Sequence, residues 1–406
     1  MTLAFRARRF AAPFLFALVT VGCGSDDDAA DEGAQLQQEV VQSYAALVSS
    51  SYADALKTAK ALDTSVVAFL DDPTEDSFRD AKDAWIASRN PYSDTEAFRF
   101  YQGPIDNDTD DDIEDGPEGR INSWPLDEAF IDYVVDGEGE VVVGGIVNDD
   151  ANYPTLDADS LSAANAVESE TSVSTGYHAI EFLLWGQDLS ATGPGERPYT
   201  DYVVGEGGTA ENQARRADYL RAVSQLLVDD LTTVNDAWAD GAANYREYFL
   251  GLPPKEALGK ILLGMGSLAG AELSHERLEV AFENKEQEDE HSCFSDNTLE
   301  DLEHNAKSVQ NALLGRNAKV SGPGVVDLIE AKDAALAQEL RDGIQEAIDE
   351  IDEVKKLGVP FDQAILGDDD SEARQHLAAA IQALKTFAEN LVEGAQAIDI
   401  ELKFDE

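Results

Sequence analysis

The run Ser174-Thr-Gly-Tyr-His-Ala-Ile-Glu-Phe-Leu-Leu-Trp185 sets an imidazole, His178, three residues before a carboxylate, Glu181, and two after Gly176. On a helix such a pair lies about 60° apart and roughly one turn along the same face. An imidazole and a carboxylate so placed can hold one metal ion or share one proton. Thr171, Ser174 and Thr175 fall around His178 on that face, while Ile180, Leu183 and Leu184 fall on the other. The spacing alone is common, because an i,i+3 pair is often a surface contact. The hydroxyl lining and the large rings of Phe182 and Trp185 add weight to a functional reading.

The elements that must position this pair are helical. The helix carrying His178 is expected to start near Asp159 and to end before Gly193-Pro194-Gly195. Upstream, Leu36, Val40, Tyr44, Leu47, Leu62, Val66 and Phe69 recur at helical spacing until Asp71-Asp72-Pro73 stops the run, and a second helix starts at Thr74 and reaches about Ser88. Residues 89–125 read as irregular, with an Asp-rich run, and a short helix is expected after Trp124-Pro125. Val141-Val142-Val143 suits a small hairpin, and residues 190–208 form a Gly/Pro-rich loop.

From Thr209 onward the pattern is helical almost to the end, near 209–240, 253–283, 297–312, 323–355 and 369–402. Leu336, Leu340, Ile344, Ile348 and Ile351 form one apolar stripe, and Leu377, Ile381, Leu384, Leu391 and Ile398 another. Gly259, Gly264, Gly266 and Gly270 punctuate the 253–283 segment, as close helix approach would require. The expected class is all-α, two up-and-down helical bundles in series over 34–208 and 209–406, with a functional groove between them.

The first 22 residues stand apart from that fold. Arg6, Arg8 and Arg9 precede an apolar run from Phe10 to Val21, the pattern of a secretory signal peptide. Gly22-Cys23 followed by Gly-Ser-Asp-Asp-Asp resembles a bacterial lipoprotein box, although Thr20 stands where Leu is usual. Cys23 is therefore the expected lipidation site, with residues 23–33 as an acidic tether and the membrane touched only through lipid. A plain signal peptide cut nearby is the alternative. Lipid on Cys23 leaves Cys293 as the single remaining cysteine and rules out an intramolecular disulfide.

Charge narrows the partners. Lys and Arg number 29 against 82 Asp and Glu, a formal net charge of −53. Such a surface repels nucleic acid and anionic headgroups. It also makes any single carboxylate cluster weak evidence for a metal site, since most are solvated faces.

Several stretches taken together resemble one family. Trp85-Ile-Ala-Ser-Arg89-Asn-Pro-Tyr92, Thr95-Glu96-Ala-Phe98-Arg99-Phe and Gly103-Pro-Ile-Asp106 look like the first signature block of imelysin-like proteins. Asn122-Ser-Trp124-Pro125-Leu-Asp127 looks like the second, and Gly176-x-His178-x-x-Glu181 is similar to the family hallmark. Glu288-Asp-Glu-His291-Ser-Cys293-Phe-Ser-Asp296-Asn297-Thr298 resembles the iron-regulated protein A branch. The resemblance implies paired helical bundles with the His-x-x-Glu site where they meet, a bacterial envelope location and a link to iron acquisition. Some members carry the name insulin-cleaving metallopeptidase.

Under that resemblance His178 and Glu181 would be metal ligands and Glu96 a further carboxylate. Arg89 or Arg99 would orient Glu96 or bind an anionic chelator, Gly176 and Ser174 would support the helix start, and His291 and Asp296 would close the site from the second bundle. One imidazole with several carboxylates suits ferric or ferrous iron, calcium or manganese ahead of structural zinc. Haem or an iron chelate is an alternative ligand, and an envelope transporter the candidate recipient. Gly24 after Cys23, rather than Asp, points to a periplasm-facing outer-membrane anchor.

No catalytic residue is assigned. A helical zinc peptidase uses His-Glu-x-x-His, and here no second His lies on the helix; Glu181 is also ill suited to be ligand and base at once. Di-iron bundles use Glu-x-x-His twice, which is not the order present. Of the other histidines, His376 beside a core stripe and His304 read as structural or capping, and His275 could lie near the groove. Tyr92 and Trp124 read as packing anchors. Three functions stay open: iron binding for uptake, metallopeptidase, and a scaffold whose groove takes a peptide or protein.

Overall fold

A computed structural model describes residues 26–106, 116–190, 192–241 and 243–402, with side chains described from residue 32. The signal peptide, Cys23 and most of the Asp-rich run lie outside the described residues. Eight α-helices of ten residues or more make the body of the described chain: α1 (Asp26–Asp71), α2 (Glu75–Ser93), α3 (Gly176–Trp185), α4 (Gln213–Trp238), α5 (Pro254–Ser267), α6 (Thr298–Leu314), α7 (Ala334–Leu357) and α8 (Glu372–Ala397). α5 runs on without a break as a π-helix, Leu268–Glu279. The single sheet among the described residues is an antiparallel hairpin, β1 (Val134–Val135) with β2 (Val141–Val142), as the valine run predicts. No described helix is long and apolar enough to cross a membrane.

Local chemistry accounts for the helix ends. Thr74 caps α2 and exchanges side-chain and backbone bonds with Ser77, satisfying donors that the first turn leaves open. Asp333 accepts from the backbone of Ala335 and Leu336 at the start of α7, and Gly358 in the left-handed region ends it. The predicted stripes pack as expected: Leu340, Ile344 and Ile351 on α7, and Leu377 and Leu384 on α8, are fully buried. Burying each such side chain is worth roughly 1.5–3 kcal/mol.

α1, α2, α3 and α4 pack as one set, and α7 and α8 pair in the other with the π-helix and α6. α4 lies on α1 and α3. The division expected at 208/209 is therefore corrected: Gln213–Trp238 belongs to the first bundle, because its buried face, Tyr219, Leu220, Val223, Leu227 and Leu231, meets that core.

The two sets share a seam. α6 packs on α2 as well as α7, and α5 reaches α1. Gly264 in α5 makes the closest approach: a Cβ there would fall 2.5 Å from the carbonyl oxygen of Ala97. That bareness lets α5 lie directly on the short 3-10 turn Glu96–Phe98.

Two expectations about the His178 region change. The helix does not run from Asp159; a short helix, Ala158–Ala164, is followed by a loop, and α3 starts at Gly176. Gly176 has φ +83, and a Cβ on it would meet the Ile121 carbonyl oxygen at 2.4 Å. Only glycine fits a left-handed backbone pressed on another backbone. α2 also extends past Ser88, through Pro91, to Ser93.

Candidate functional site

All ten residues of α3 are buried, so the polar front of this helix faces protein rather than solvent. His178 Nδ1 lies 3.1 Å from Glu181 Oε2. The other carboxylate oxygen, Oε1, accepts from the Ser295 backbone N–H at 2.9 Å and from the Ser295 hydroxyl at 2.7 Å. The predicted pair thus forms, and it is closed by a residue from the far half of the chain. Burial pushes the Glu181 carboxyl up to about 8, against the opposing pull of the Ser295 bonds and of Arg89.

His291 comes from the second half to meet His178. The two rings stand edge to face with centroids 4.8 Å apart, and the Trp124 ring lies 5.4 Å from His291. His291 Nδ1 is 2.9 Å from Asp301 Oδ2 in the first turn of α6. Asp301 also accepts from Arg89 Nε at 3.2 Å and Nη2 at 2.7 Å, from Ser292 Oγ at 2.6 Å and from Asn297 Nδ2 at 3.1 Å. Burial raises the Asp301 carboxyl, but the Arg89 guanidinium and His291 outweigh it and hold the group well below the usual carboxylate range. An ionised Asp301 accepts only, so His291 Nδ1 carries the proton and its Nε2 keeps a lone pair.

Both imidazoles stay neutral. Burial, the neighbouring His291 and Arg89 push His178 well below its ordinary value, and burial with Arg277 pushes His291 down to about 4. His178 Nε2 is buried and has no hydrogen-bond partner. That is an uncompensated cost for a polar atom, of the kind a ligand or ion relieves.

His178 and His291 line one small space of about 30 Å³, with Trp124, Glu128, Asp188 and Cys293 also in its wall. That is room for about one ion with a water. Two wider grooves of about 510 and 610 Å³ lie elsewhere and touch none of these residues.

The remaining predicted residues are distributed as follows. Glu96 is buried but stands in a separate ionic cluster: Arg277 Nη2 is 2.7 Å from its Oε2 and Arg99 Nη1 is 3.2 Å from it. Burial is overcome by these two cations, and the carboxyl is held at about 2. Arg99 orients Glu96 as expected; Arg89 instead clamps Asp301 and donates to Asn122 Oδ1 at 2.6 Å.

Ser174 does not face His178. It lies before the helix and bonds Asn165 and the Leu161 carbonyl, because the chain turns at Gly176. Asp296 takes a left-handed conformation, φ +57, and burial beside Asp188 and Asp362 pushes it up to about 7; it is not in the wall of the His178 space. His275, His304 and His376 pair with Glu279, Asp94 and Glu350. Trp124 is more than a packing anchor, since its Nε1 donates to the Glu290 carbonyl while its ring walls the site.

Sequence reasoning missed Asp301, Ser295 and Arg277. Asp301 sits in the first turn of the helix that follows the acidic block, where a carboxylate also caps and so looks ordinary. Among the described residues no group of three or more His, Cys, Asp or Glu side chains stands so that it could hold a metal ion as placed. The arrangement is therefore two carboxylate-backed imidazoles, not the His178–Glu181–Glu96 triad that the pattern suggested.

Comparison with known proteins accords with this geometry. Among curated protein sequences none matches the chain. Two solved structures share its fold. One, described as an iron-regulated protein A precursor from Parabacteroides distasonis ATCC 8503, is 19% identical with a TM-score of 0.66, over 90% of this chain and 95% of that one. The other, an imelysin-like protein from Psychrobacter arcticum 273-4, is 14% identical with a TM-score of 0.61, over 91% and 98%. The imelysin family model matches residues 48–391, which take in every helix and loop that builds the site, and the chain belongs to the imelysin family.

Proposed function

We propose that this protein binds a metal ion, iron in the first place, between the imidazoles of His178 and His291, and that it does so on the outer face of a bacterial cell in the service of iron uptake. The observation that carries the reading is the buried, unpartnered Nε2 of His178 beside the open Nε2 of His291. In each ring a carboxylate stands behind Nδ1, Glu181 for one and Asp301 for the other. A carboxylate behind Nδ1 is the usual backing of a metal-binding histidine, fixing the ring and raising its basicity. Glu181 then acts from behind His178 rather than as a ligand, since Ser295 and His178 occupy both its oxygens.

The size of the space favours a bare ion. A haem or an iron chelate needs a pocket of several hundred Å³, against about 30 Å³ here. Burial argues against a peptidase for the same reason: His178 is only 1% exposed, and a peptide bond must reach the metal-bound water. The name in the neighbouring structure, iron-regulated protein A, supports iron as the first ion to test. The Arg-flanked apolar run before Cys23 supports export and lipid anchoring, and the net charge of −53 concentrates cations near the surface.

Calorimetric titration of the purified protein with ferrous, ferric, calcium and zinc ions tests this. Wild type should bind one ion stoichiometrically, and His178→Ala and His291→Ala should each lose that binding. Retention of full affinity in both variants would leave only diffuse attraction by the acidic surface.

A further inference from the structure

The wall of the His178 space contains a third soft donor. Cys293 follows His291 by two residues and lines the same space as both imidazoles. Its thiol has no hydrogen bond to any described residue and forms no disulfide. It is half-buried against the core rather than packed away from the site. A buried cysteine beside apolar side chains alone would be an ordinary small hydrophobe. Here it shares a wall with an unpartnered imidazole nitrogen that is itself buried.

We infer that Cys293 supplies a thiolate as the third protein ligand, so that the site takes a thiophilic ion, such as zinc or cuprous copper, in preference to a hard one such as ferric iron or calcium. This rests on the reading of His178 and His291 as ligands and sharpens which ion they hold. Two imidazoles and one thiolate make a borderline-to-soft donor set, and softness of the donors is what selects among ions of similar charge. Three protein ligands leave one tetrahedral position for water or for a wall carboxylate such as Glu128 or Asp188.

The surroundings bear on how this works. Burial and the carboxylates of Glu181, Glu290, Glu128 and Glu288 disfavour a free thiolate at Cys293. The same negative field favours an arriving cation, and a coordinated thiol gives up its proton to solvent. The thiol thus stays protonated and unreactive until an ion is present. Because the three donors are not at coordination distance as placed, the Cys293 side chain must turn onto the ion as it binds.

Cobalt(II) reports the ligand directly, because a thiolate bound to it gives a charge-transfer band in the near ultraviolet. Wild-type protein titrated with cobalt(II) should show that band, and Cys293→Ser should bind cobalt(II) without it. Zinc affinity should fall in Cys293→Ser by more than the roughly 10–100-fold that loss of an outer-shell partner costs, while ferrous affinity falls less. Cys293→Ala, checked for an unchanged melting temperature, guards against a serine hydroxyl taking over as ligand. An unchanged spectrum and zinc affinity in both cysteine variants, with binding still lost in His178→Ala, would overturn the thiolate alone. Binding that survives His178→Ala and His291→Ala would overturn the imidazole site beneath it.

Discussion

The rings of His178 and His291 touch edge to face, centroids 4.8 Å apart, although 113 positions (291 − 178) separate them in the chain. Each is held from behind by its own carboxylate, and both sit among the guanidinium groups of Arg89 and Arg277. Adding a proton to either would place a buried cation beside two others and a neighbouring ring. The contact is therefore a neutral one, and its neutrality has consequences for stability.

Acid should unfold the protein earlier than a chain without this contact. His291 has a folded pKa near 4, below the ordinary 6.5. A depressed histidine gives stability that is fully present above the unfolded value and is lost as pH falls toward the folded one. The window is pH 6.5 down to about 4, and the loss from this group is about 3 kcal/mol. Urea midpoints measured across that window should fall in wild type and fall less in His291→Gln.

Glu181 carries the opposite sign. Its folded pKa of about 8 lies above the ordinary 4.5, so the folded state holds a proton that the unfolded chain has released. The stabilising contribution of this group is present below about pH 4.5 and is lost as pH rises toward 8. Glu181→Gln has no such term. The variant should gain on wild type in urea midpoint between pH 5 and pH 8, with Gln as a neutral donor to His178 Nδ1.

Removing the Glu181 proton also frees His178 Nε2 to act as a ligand, because an ionised Glu181 accepts from Nδ1 and leaves the lone pair on Nε2. Metal affinity in wild type should therefore rise with pH up to about 8. Isothermal titration at fixed ionic strength would show this, and a flat profile would remove the proton from the binding step.

Asp301→Asn should be costly although nearly isosteric. It leaves the Arg89 guanidinium, 1% exposed, without its counter-charge. Stranding one partner of a buried pair costs about 3–5 kcal/mol. The same change removes the obligate acceptor behind His291, and loss of such a backing group weakens metal binding by roughly 10–100-fold. Denaturant unfolding and metal titration measure the two effects separately.

Gly176→Ala should destabilise through the backbone. A non-glycine residue at φ +83 is strained by about 1–3 kcal/mol, and the added Cβ would lie 2.4 Å from the Ile121 carbonyl oxygen. The melting temperature should drop by several degrees, and metal binding should weaken, since the start of α3 sets the height of His178.

Much of the fold was legible before the structure. Apolar stripes of period near 3.6 marked α1, α4, α7 and α8, because each helix must bury one face and cannot do so with another spacing. The His178–Glu181 pair was legible for the same reason: an i,i+3 bond needs only the helix that carries it. Local pattern could not show where α3 begins, since the stop comes from Gly176 pressing on Ile121, a contact between distant segments.

What faces that pair was decided by tertiary structure alone. Ser295, His291 and Asp301 reach it from 113 to 123 positions away (291 − 178, 301 − 178), and no periodicity encodes that distance. Glu96 and Arg89 show the limit most clearly. Both were candidates beside His178, yet burial demands that each charge find its counter-charge, and packing gave Glu96 to Arg277 and Arg89 to Asp301. The sequence by itself determined which residues are helical and that an imidazole shares a turn with a carboxylate. The seam between the bundles decided that a second imidazole, rather than a third carboxylate, completes the site.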